Sequence, residues 1–229
     1  MEPIKIYKVG GCIRDSILGK QPKDIDYAVE ASSFDTMRNY LLENGATIYL
    51  EKPEYLTIRA KYNKTDADFV LCRKDGIYKD GRRPESTEMG TIYDDLTRRD
   101  FRMNAISQDI VTGEFYDPFN GIQDIKDKVI RCVGSIDRLS EDYLRMLRAI
   151  RFSITLGFTM DSEIYVHIHD NWELLKEIAI ERIVDEMNKA FNHSVHNTIY
   201  TFYNKFGISF TEWLFDHPEI FMKLVVRKS

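Results

Sequence analysis

Residues 10–26, Gly-Gly-Cys-Ile-Arg-Asp-Ser-Ile-Leu-Gly-Lys-Gln-Pro-Lys-Asp-Ile-Asp, constrain the fold and chemistry of this chain more than any other stretch. Residues 4–9 before them alternate as a short strand. The double glycine opens a helix over 10–19 that Gly19 closes, and Asp24 to Ala31 reads as a second strand. On that strand Ile25, Tyr27 and Val29 face away from Asp24 and Asp26. Backbone N–H groups at a Gly-rich helix start attract phosphate, which makes Gly10 and Gly11 candidate phosphate-binding positions. Arg14, one turn in, can reach a phosphate; Asp15 and Asp24 are its alternative partners. Asp24 and Asp26 alternate along their strand, so their carboxylates lie about 6–7 Å apart on one face. Two such groups repel unless a cation sits between them, and Mg2+ completed by substrate phosphates satisfies both. Metal and phosphate brought together in so few residues imply phosphoryl or nucleotidyl transfer.

The rest of the chain divides into two regimes. Ser32 with Asp35 starts a helix with Met37, Leu41 and Leu42 as its apolar face and Gly45 as its stop. Residues 46–51, 56–62 and 67–73 read as strands, the last two joined by the turn 63–66. From Lys74 to Gly90 the pattern dissolves into a mobile loop. Residues 92–107 look helical, 109–117 form a hairpin turning at Thr112-Gly113, and a short helix and a strand at 129–133 follow. After Gly134 the periodicity is helical. Ser140, Glu141 and Asp142 form an N-terminal signature for a helix running to Gly157, followed by helices over 162–177, 179–192 and 194–217. The expectation is an α+β chain with a mixed, helix-flanked sheet domain at 1–134, a helical neck at 135–192 and a short helical segment at 193–229.

Composition narrows the function class. No apolar run is long enough to span a bilayer, and Met-Glu-Pro-Ile-Lys lacks the apolar core of a signal peptide. Cys12, Cys72 and Cys132 are scattered and odd in number, so they read as reduced, buried thiols in a cytoplasmic protein. The net charge of −5 argues against a protein that coats nucleic acid without selection, but not against a local basic cleft. Arginines do cluster, at 82–83, at 98, 99 and 102, and at 145, 148 and 151. The last three recur at i, i+3 and i+6 and would repel one another on a bare helix face, so a bound triphosphate or RNA phosphate accounts for them. His167 and His169, two apart on a helix, do not share a face as metal ligands.

Residues 10–26 resemble motif A of the class II tRNA nucleotidyltransferase and bacterial poly(A) polymerase family, Gly-Gly-x-(Ile/Val)-Arg-Asp-x-(Ile/Leu)-Leu-Gly followed by Asp-x-Asp. Further resemblances follow in order. Arg98 to Ala105 is similar to Arg-Arg-Asp-Phe-Thr-(Ile/Val)-Asn-Ala, and Asp117-Pro118-Phe119, Gly121 and Asp124 through Ile130-Arg131 resemble the hinge motif. Glu141 to Phe152 resembles the Glu-Asp-x-x-Arg motif and its helix, and Glu181-Arg182-Ile183 the last motif. Together they cover residues 5–192.

The resemblance implies a nucleotidyltransferase head followed by a neck. Asp24 and Asp26 would bind the catalytic metal, and Asp68 on a neighbouring strand would be the third carboxylate, helping to deprotonate a primer 3′-hydroxyl. Gly10, Gly11 and Arg14 would hold the nucleotide phosphates. Arg99 and Asp100 would hold its ribose, and Asn104 falls in the same motif. Asp142 and Arg145, at i and i+3 on one helix face, would read the Watson–Crick edge of CTP or ATP; the plain alternative for them is a surface ion pair. Arg148 and Arg151 match further nucleotide-binding positions. The implied reaction is addition of CMP and AMP to the 3′ end of tRNA. A poly(A) polymerase, an A-adding enzyme, and an RNA-binding or toxin-type protein without templated synthesis are the alternatives. The stretch 73–84 looks like the family's flexible loop, whose presence favours A addition, or full CCA addition.

Four departures stand out. Arg102 replaces the usual Thr, the stretch 134–138 is one residue short, and Leu56-Thr57 stands near the place of a usual Gly-Thr pair. The fourth is length: residues 193–229 stand where relatives continue through further helical domains. Either less protein grips the tRNA, or a second subunit such as a homodimer partner supplies the grip, or the substrate is smaller. The aromatics there, Tyr200, Phe202, Tyr203, Phe206, Phe210, Trp213 and Phe215, read as a small capping core in preference to an RNA surface.

Overall fold

The structure, a computed structural model, describes residues 4–22, 24–76 and 86–216. Among these, the residues before 128 form one compact unit and residues 128–216 a second. The first is a mixed α+β unit. Its strands are β1 (Lys5–Val9), β2 (Ile25–Glu30), β3 (Thr47–Lys52), β4 (Thr57–Tyr62), β5 (Thr65–Leu71), β6 (Arg73–Asp75), β7 (Thr87–Met89), β8 (Ser107–Asp109) and β9 (Phe115–Tyr116). Its helices are α1 (Gly11–Ile17), α2 (Phe34–Glu43), α3 (Ile92–Thr97) and α4 (Gly121–Asp127). Seven strands form one sheet in the order β3-β4-β5-β2-β1-β8-β9, antiparallel except for the parallel β2/β5 pair.

Period-two alternation decides the faces of this sheet. Tyr27, Val29, Ile58, Phe69 and Leu71 point one way and are buried with Met37 and Leu41 of α2. Tyr27 and Phe69, partners across β2/β5, stack with ring centroids 4.7 Å apart. Asp26, Asp68 and Arg59 lie on the opposite face. The α2 start is capped one residue later than expected: Ser33, not Ser32, accepts the Thr36 N–H at 3.0 Å. Leu42 also departs from expectation and is exposed. The turn between β4 and β5 is only two residues, Asn63 and Lys64, both with positive φ as a type I′ hairpin requires.

Two expectations fail here. Lys74 to Gly90 is not loop throughout, because β6 pairs antiparallel with β7; residues 77–85 of that stretch, with most of the looked-for flexible loop, lie outside the described residues. Nor is 92–107 one helix. It breaks after α3 into a 3-10 turn at Arg102–Asn104 and then β8. Phe101, Met103, Ala105 and Ile106 are all fully buried, a density that no single helix face provides. Gly121 shows how tightly this region packs, since a Cβ there would lie 2.1 Å from the Arg102 carbonyl oxygen.

The second unit is mainly helical: α5 (Arg138–Glu141), α6 (Leu144–Leu156), α7 (Ser162–Asn171), α8 (Ile180–His193), α9 (Val195–Thr201) and α10 (Ile208–Asp216). It also holds a two-residue parallel ladder, β10 (Val129–Ile130) with β11 (Thr159–Met160), of which the sequence reading missed only β11. The expected strand at 129–133 thus shrinks to its first two residues. Helices α6 and α8 pack against each other, and Leu147, Ile150 and Ile154 of the first and Ile183, Val184 and Met187 of the second are all buried. The predicted helix over 194–217 is interrupted by a π turn at Phe202–Phe206 and by Gly207 at φ +80°. Phe202, Phe206 and Phe210 are buried in an aromatic cluster with Trp172 and Trp213, as a capping core requires, whereas Tyr200 and Tyr203 are exposed. All three cysteines are free and buried. No helix among the described residues is long and apolar enough to cross a membrane.

Candidate active site

In the first unit the carboxylates are assembled by strand register. Asp26 on β2 is the Cα partner of Asp68 on β5, and Asp68 in turn is the partner of Arg59 on β4. Adjacent partners share a face, so Arg59, Asp68 and Asp26 form one row across three strands. Asp24 sits at a bend just before β2 and not on the strand as expected; it is exposed. Asp26 is also exposed as a residue, yet the chain packed around its carboxyl pushes its pKa up. The Arg99 guanidinium opposes that shift, and the charges of Asp68 and Asp24 add to it. The donor set suits a hard divalent cation: Mg2+ is commonly held by one or two carboxylates, with substrate phosphates completing its shell. Among the described residues no three acidic, His or Cys side chains converge into a closed cage.

Positive charge reaches Asp26 from the segment after α3, through Arg99. Helix α1 is only two turns long, so its dipole is weak and side chains carry most of the charge. Gly10 has φ +75°, which strains any side chain, and a Cβ there would come 2.8 Å from Nη1 of Arg99, so the guanidinium would have to shift. Arg99 is held by a residue that the sequence reading overlooked. Its Nε and Nη2 donate to Oδ2 of Asp95 at 3.1 and 2.8 Å, and Arg98 donates to Oδ1. Burial disfavours the charged form of Asp95, but Arg99 and Arg98 outweigh it and hold the carboxyl below its ordinary range. The i, i+3, i+4 spacing of Asp95, Arg98 and Arg99 was the available signal.

Arg14 is buried and fixed. It pairs with Asp15, one of its two expected alternatives, through Nε at 2.9 Å and Nη2 at 2.8 Å, and donates from Nη1 to Oδ1 of Asn104 at 2.7 Å. The Asn104 amide donates to Oδ1 of Asp100 at 3.1 Å, and that oxygen also accepts the Phe101 N–H. Arg14, Asn104 and Asp100 therefore form one buried network, which joins residues 90 positions apart.

In the second unit Asp142 is extended, with φ −143°, and precedes α6, so it does not share a helix face with Arg145. Its carboxylate accepts from Nη2 of Arg182 on α8 at 2.9 and 3.2 Å. Arg145 donates from Nη1 to the Arg138 carbonyl at 2.7 Å and to Glu141 at 2.8 Å. The repulsion argued for Arg145, Arg148 and Arg151 is relieved within the chain. Arg151 reaches the buried Glu186 at 2.5 Å, Arg148 lies 3.8 Å from it, and Lys189 donates at 2.7 Å. A phosphate is thus not required to explain these arginines. Burial disfavours ionised Glu186, yet Arg151 and Arg148 hold its pKa down. Glu186 stands 35 residues from Arg151 and gave no local sequence signal.

Residues 6–131 match the poly A polymerase head domain, and residues 157–195 match the probable RNA and SrmB-binding site of polymerase A. The CCA-adding enzyme of Oceanobacillus iheyensis is 36% identical over 187 residues, which are 81% of this chain and 45% of that one. That of Geobacillus thermodenitrificans is 38% identical over 187 residues, 80% of this chain and 44% of the relative. Among solved structures, the Bacillus stearothermophilus CCA-adding enzyme in complex with CTP superimposes with TM-score 0.77 at 28% identity, covering 90% of this chain and 49% of that one. A tRNA nucleotidyltransferase with a primer tRNA and an incoming ATP analog gives 0.72 at 27%, covering 97% and 59%. The chain spans about half the length of the curated relatives it matches.

Proposed function

This chain belongs to the class II CCA-adding enzyme and poly(A) polymerase family, and we propose that it adds CMP and AMP to the 3′ end of tRNA. The observation that carries the chemistry is the register that sets Asp26 beside Asp68 on one sheet face, with Arg99 close enough to act on Asp26. Asp24 and Asp26 hold the divalent cation, taken to be Mg2+, and Asp68 helps to remove the proton of the primer 3′-hydroxyl. When bound, the cation neutralises the triphosphate and lowers the pKa of that hydroxyl. The 3′-oxygen then forms a bond to the α-phosphorus as the bond to pyrophosphate breaks. Gly10, Gly11 and Arg14 hold the phosphates, and Arg99, Asp100 and Asn104 hold the ribose. In the second unit Asp142 and Arg145 select the base, a carboxylate acceptor and guanidinium donors matching the edges of cytosine and adenine. Arg148 and Arg151, which share the buried Glu186, support that helix.

The test is incorporation of labelled CTP and ATP into a tRNA lacking its 3′ end. Two C followed by one A, then arrest, is the expected product. Long A tracts from ATP alone would assign a poly(A) polymerase, and a single A on a tRNA ending in CC, with no C addition, an A-adding enzyme. Asp142→Ala and Arg145→Ala should blur the choice of nucleotide while the fold persists. Unchanged selectivity would refute their role.

A further inference from the structure

Arg59 is the cation nearest to the proposed carboxylates that the reaction has not used. It projects from β4 between Ile58 and Ala60, which are both fully buried on the other face. Its Nε lies 2.7 Å from Oδ1 of Asp68 and its Nη2 3.1 Å from Oδ2, so one guanidinium takes both oxygens of that carboxylate. The pair is open to solvent: the Arg59 side chain is 54% exposed and that of Asp68 30%. A cross-strand ion pair at a sheet face needs no further purpose. This one differs because Asp68 has Arg59 as its register partner on one side and Asp26 on the other. The charge of Arg59 also acts on Asp26. A divalent ion that engages Asp68 meets two oxygens that each already accept from the guanidinium, and must approach against its positive charge.

We infer that Arg59 is a positioning residue that holds Asp68 in the resting chain and competes with the divalent cation for it, thereby setting the metal affinity of the site. The inference rests on the reading of Asp26 and Asp68 as the metal-side carboxylates. Loading then exchanges one cation for another on Asp68, and the exposure of the pair allows the guanidinium to swing into water without the cost of stranding a buried charge.

The test uses the full chain and Mn2+ as probe, with free ion read by its electron paramagnetic resonance signal. Arg59→Met keeps the apolar stem and removes the fork; it should bind Mn2+ about three- to tenfold more tightly, the effect of losing one charge a few ångströms away under partial solvent screening. Arg59→Lys, which keeps the charge but not the fork, should fall between Arg59→Met and the parent. Asp26→Asn should lose most of the binding, and circular dichroism should be unchanged in all three. Equal or weaker Mn2+ binding by Arg59→Met, alongside loss in Asp26→Asn, overturns the role of Arg59 and leaves the metal assignment standing. Binding unaltered by Asp26→Asn overturns that assignment, and the inference with it.

Discussion

Glu186→Gln probes the most deeply buried charge of the second unit. The Glu186 side chain is 4% exposed, and that of Arg151, 2.5 Å away, is 13% exposed, so this contact is a desolvated, charge-assisted hydrogen bond. Such bonds contribute about 1.5–3 kcal/mol. Lys189 is 56% exposed, and Arg148 lies 3.8 Å away, so each adds only about 0–1 kcal/mol. Glutamine keeps the volume and one acceptor but turns an N–H toward the cations, for a total loss of about 2–4 kcal/mol. The assay is built into the chain, because both tryptophans, Trp172 and Trp213, lie in the second unit. Urea unfolding followed by their fluorescence should show the midpoint fall by about 1–2 M. The sign with pH follows from the depressed pKa of Glu186 in the folded chain. Its stabilisation is complete above the unfolded value of about 4.3 and is lost as pH falls through the lower folded value. The gap between parent and variant should therefore be full at neutral pH and close in acid. A gap below about 0.5 kcal/mol, or one that widens as pH falls, would refute the reasoning.

Asp26→Asn should abolish nucleotide incorporation yet leave the chain as stable or more stable by up to about 1 kcal/mol at neutral pH, since a raised carboxyl pKa means that the ionised form opposes folding; a thermal scan showing clear destabilisation contradicts this. Gly121→Ala drives a methyl into the Arg102 carbonyl and should cost about 3 kcal/mol, lowering the melting temperature by several degrees. A normal melting curve would mean that α4 can shift freely. Arg182→Ala removes the partner of Asp142 across a part-exposed pair, so stability should change by at most about 1 kcal/mol. Discrimination between CTP and ATP should nevertheless fall several-fold as Asp142 loses its fixed orientation; an unchanged ratio of incorporation would separate Arg182 from base selection.

What was legible in the sequence was whatever has a short period. The alternation around Asp26 put Tyr27 and Val29 in the core and the carboxylate on the other face, and the strand carrying Asp68 followed from the same rule. The stretch 92–107 misled because consecutive buried residues imitate a helix when only their apolarity is counted. Asp100 and Asn104 spend their side chains bonding to one another and to the Phe101 N–H, which favours a 3-10 turn over a helix. Asp142 misled for a related reason: spacing of three suggests a shared helix face only if both residues are helical, and Asp142 is extended. Arg59 and Glu186 were invisible as site residues, and Arg182 was visible only as part of a motif with no partner, because each acquires its partner through strand pairing or helix packing. No sequence window contains both members of the last two pairs.

The burial of these counter-charges divides the site residues into two classes. Asp95, with a side chain 1% exposed, and Glu186 hold Arg99 and Arg151 from within the core. Withdrawing either arginine would strand a buried carboxylate at a cost of several kcal/mol, so these arginines are fixed donors that a ligand meets already oriented. Arg59 holds Asp68 from the solvent side, and the Arg182–Asp142 pair is part-exposed, so breaking either costs less than stranding a carboxylate in the core. The two carboxylates can therefore exchange a protein cation for a ligand. On the proposed reading, donors to the parts that every nucleotide shares need to be rigid, because what they meet does not change. A metal-side carboxylate and a base-reading carboxylate need to let go, because each must release one partner to take another. On the proposed reading the arrangement places rigidity and exchange where those two tasks require them, and it predicts that substitutions at Asp95 or Glu186 act first on folding, whereas substitutions at Arg59 or Arg182 act first on metal affinity and nucleotide choice.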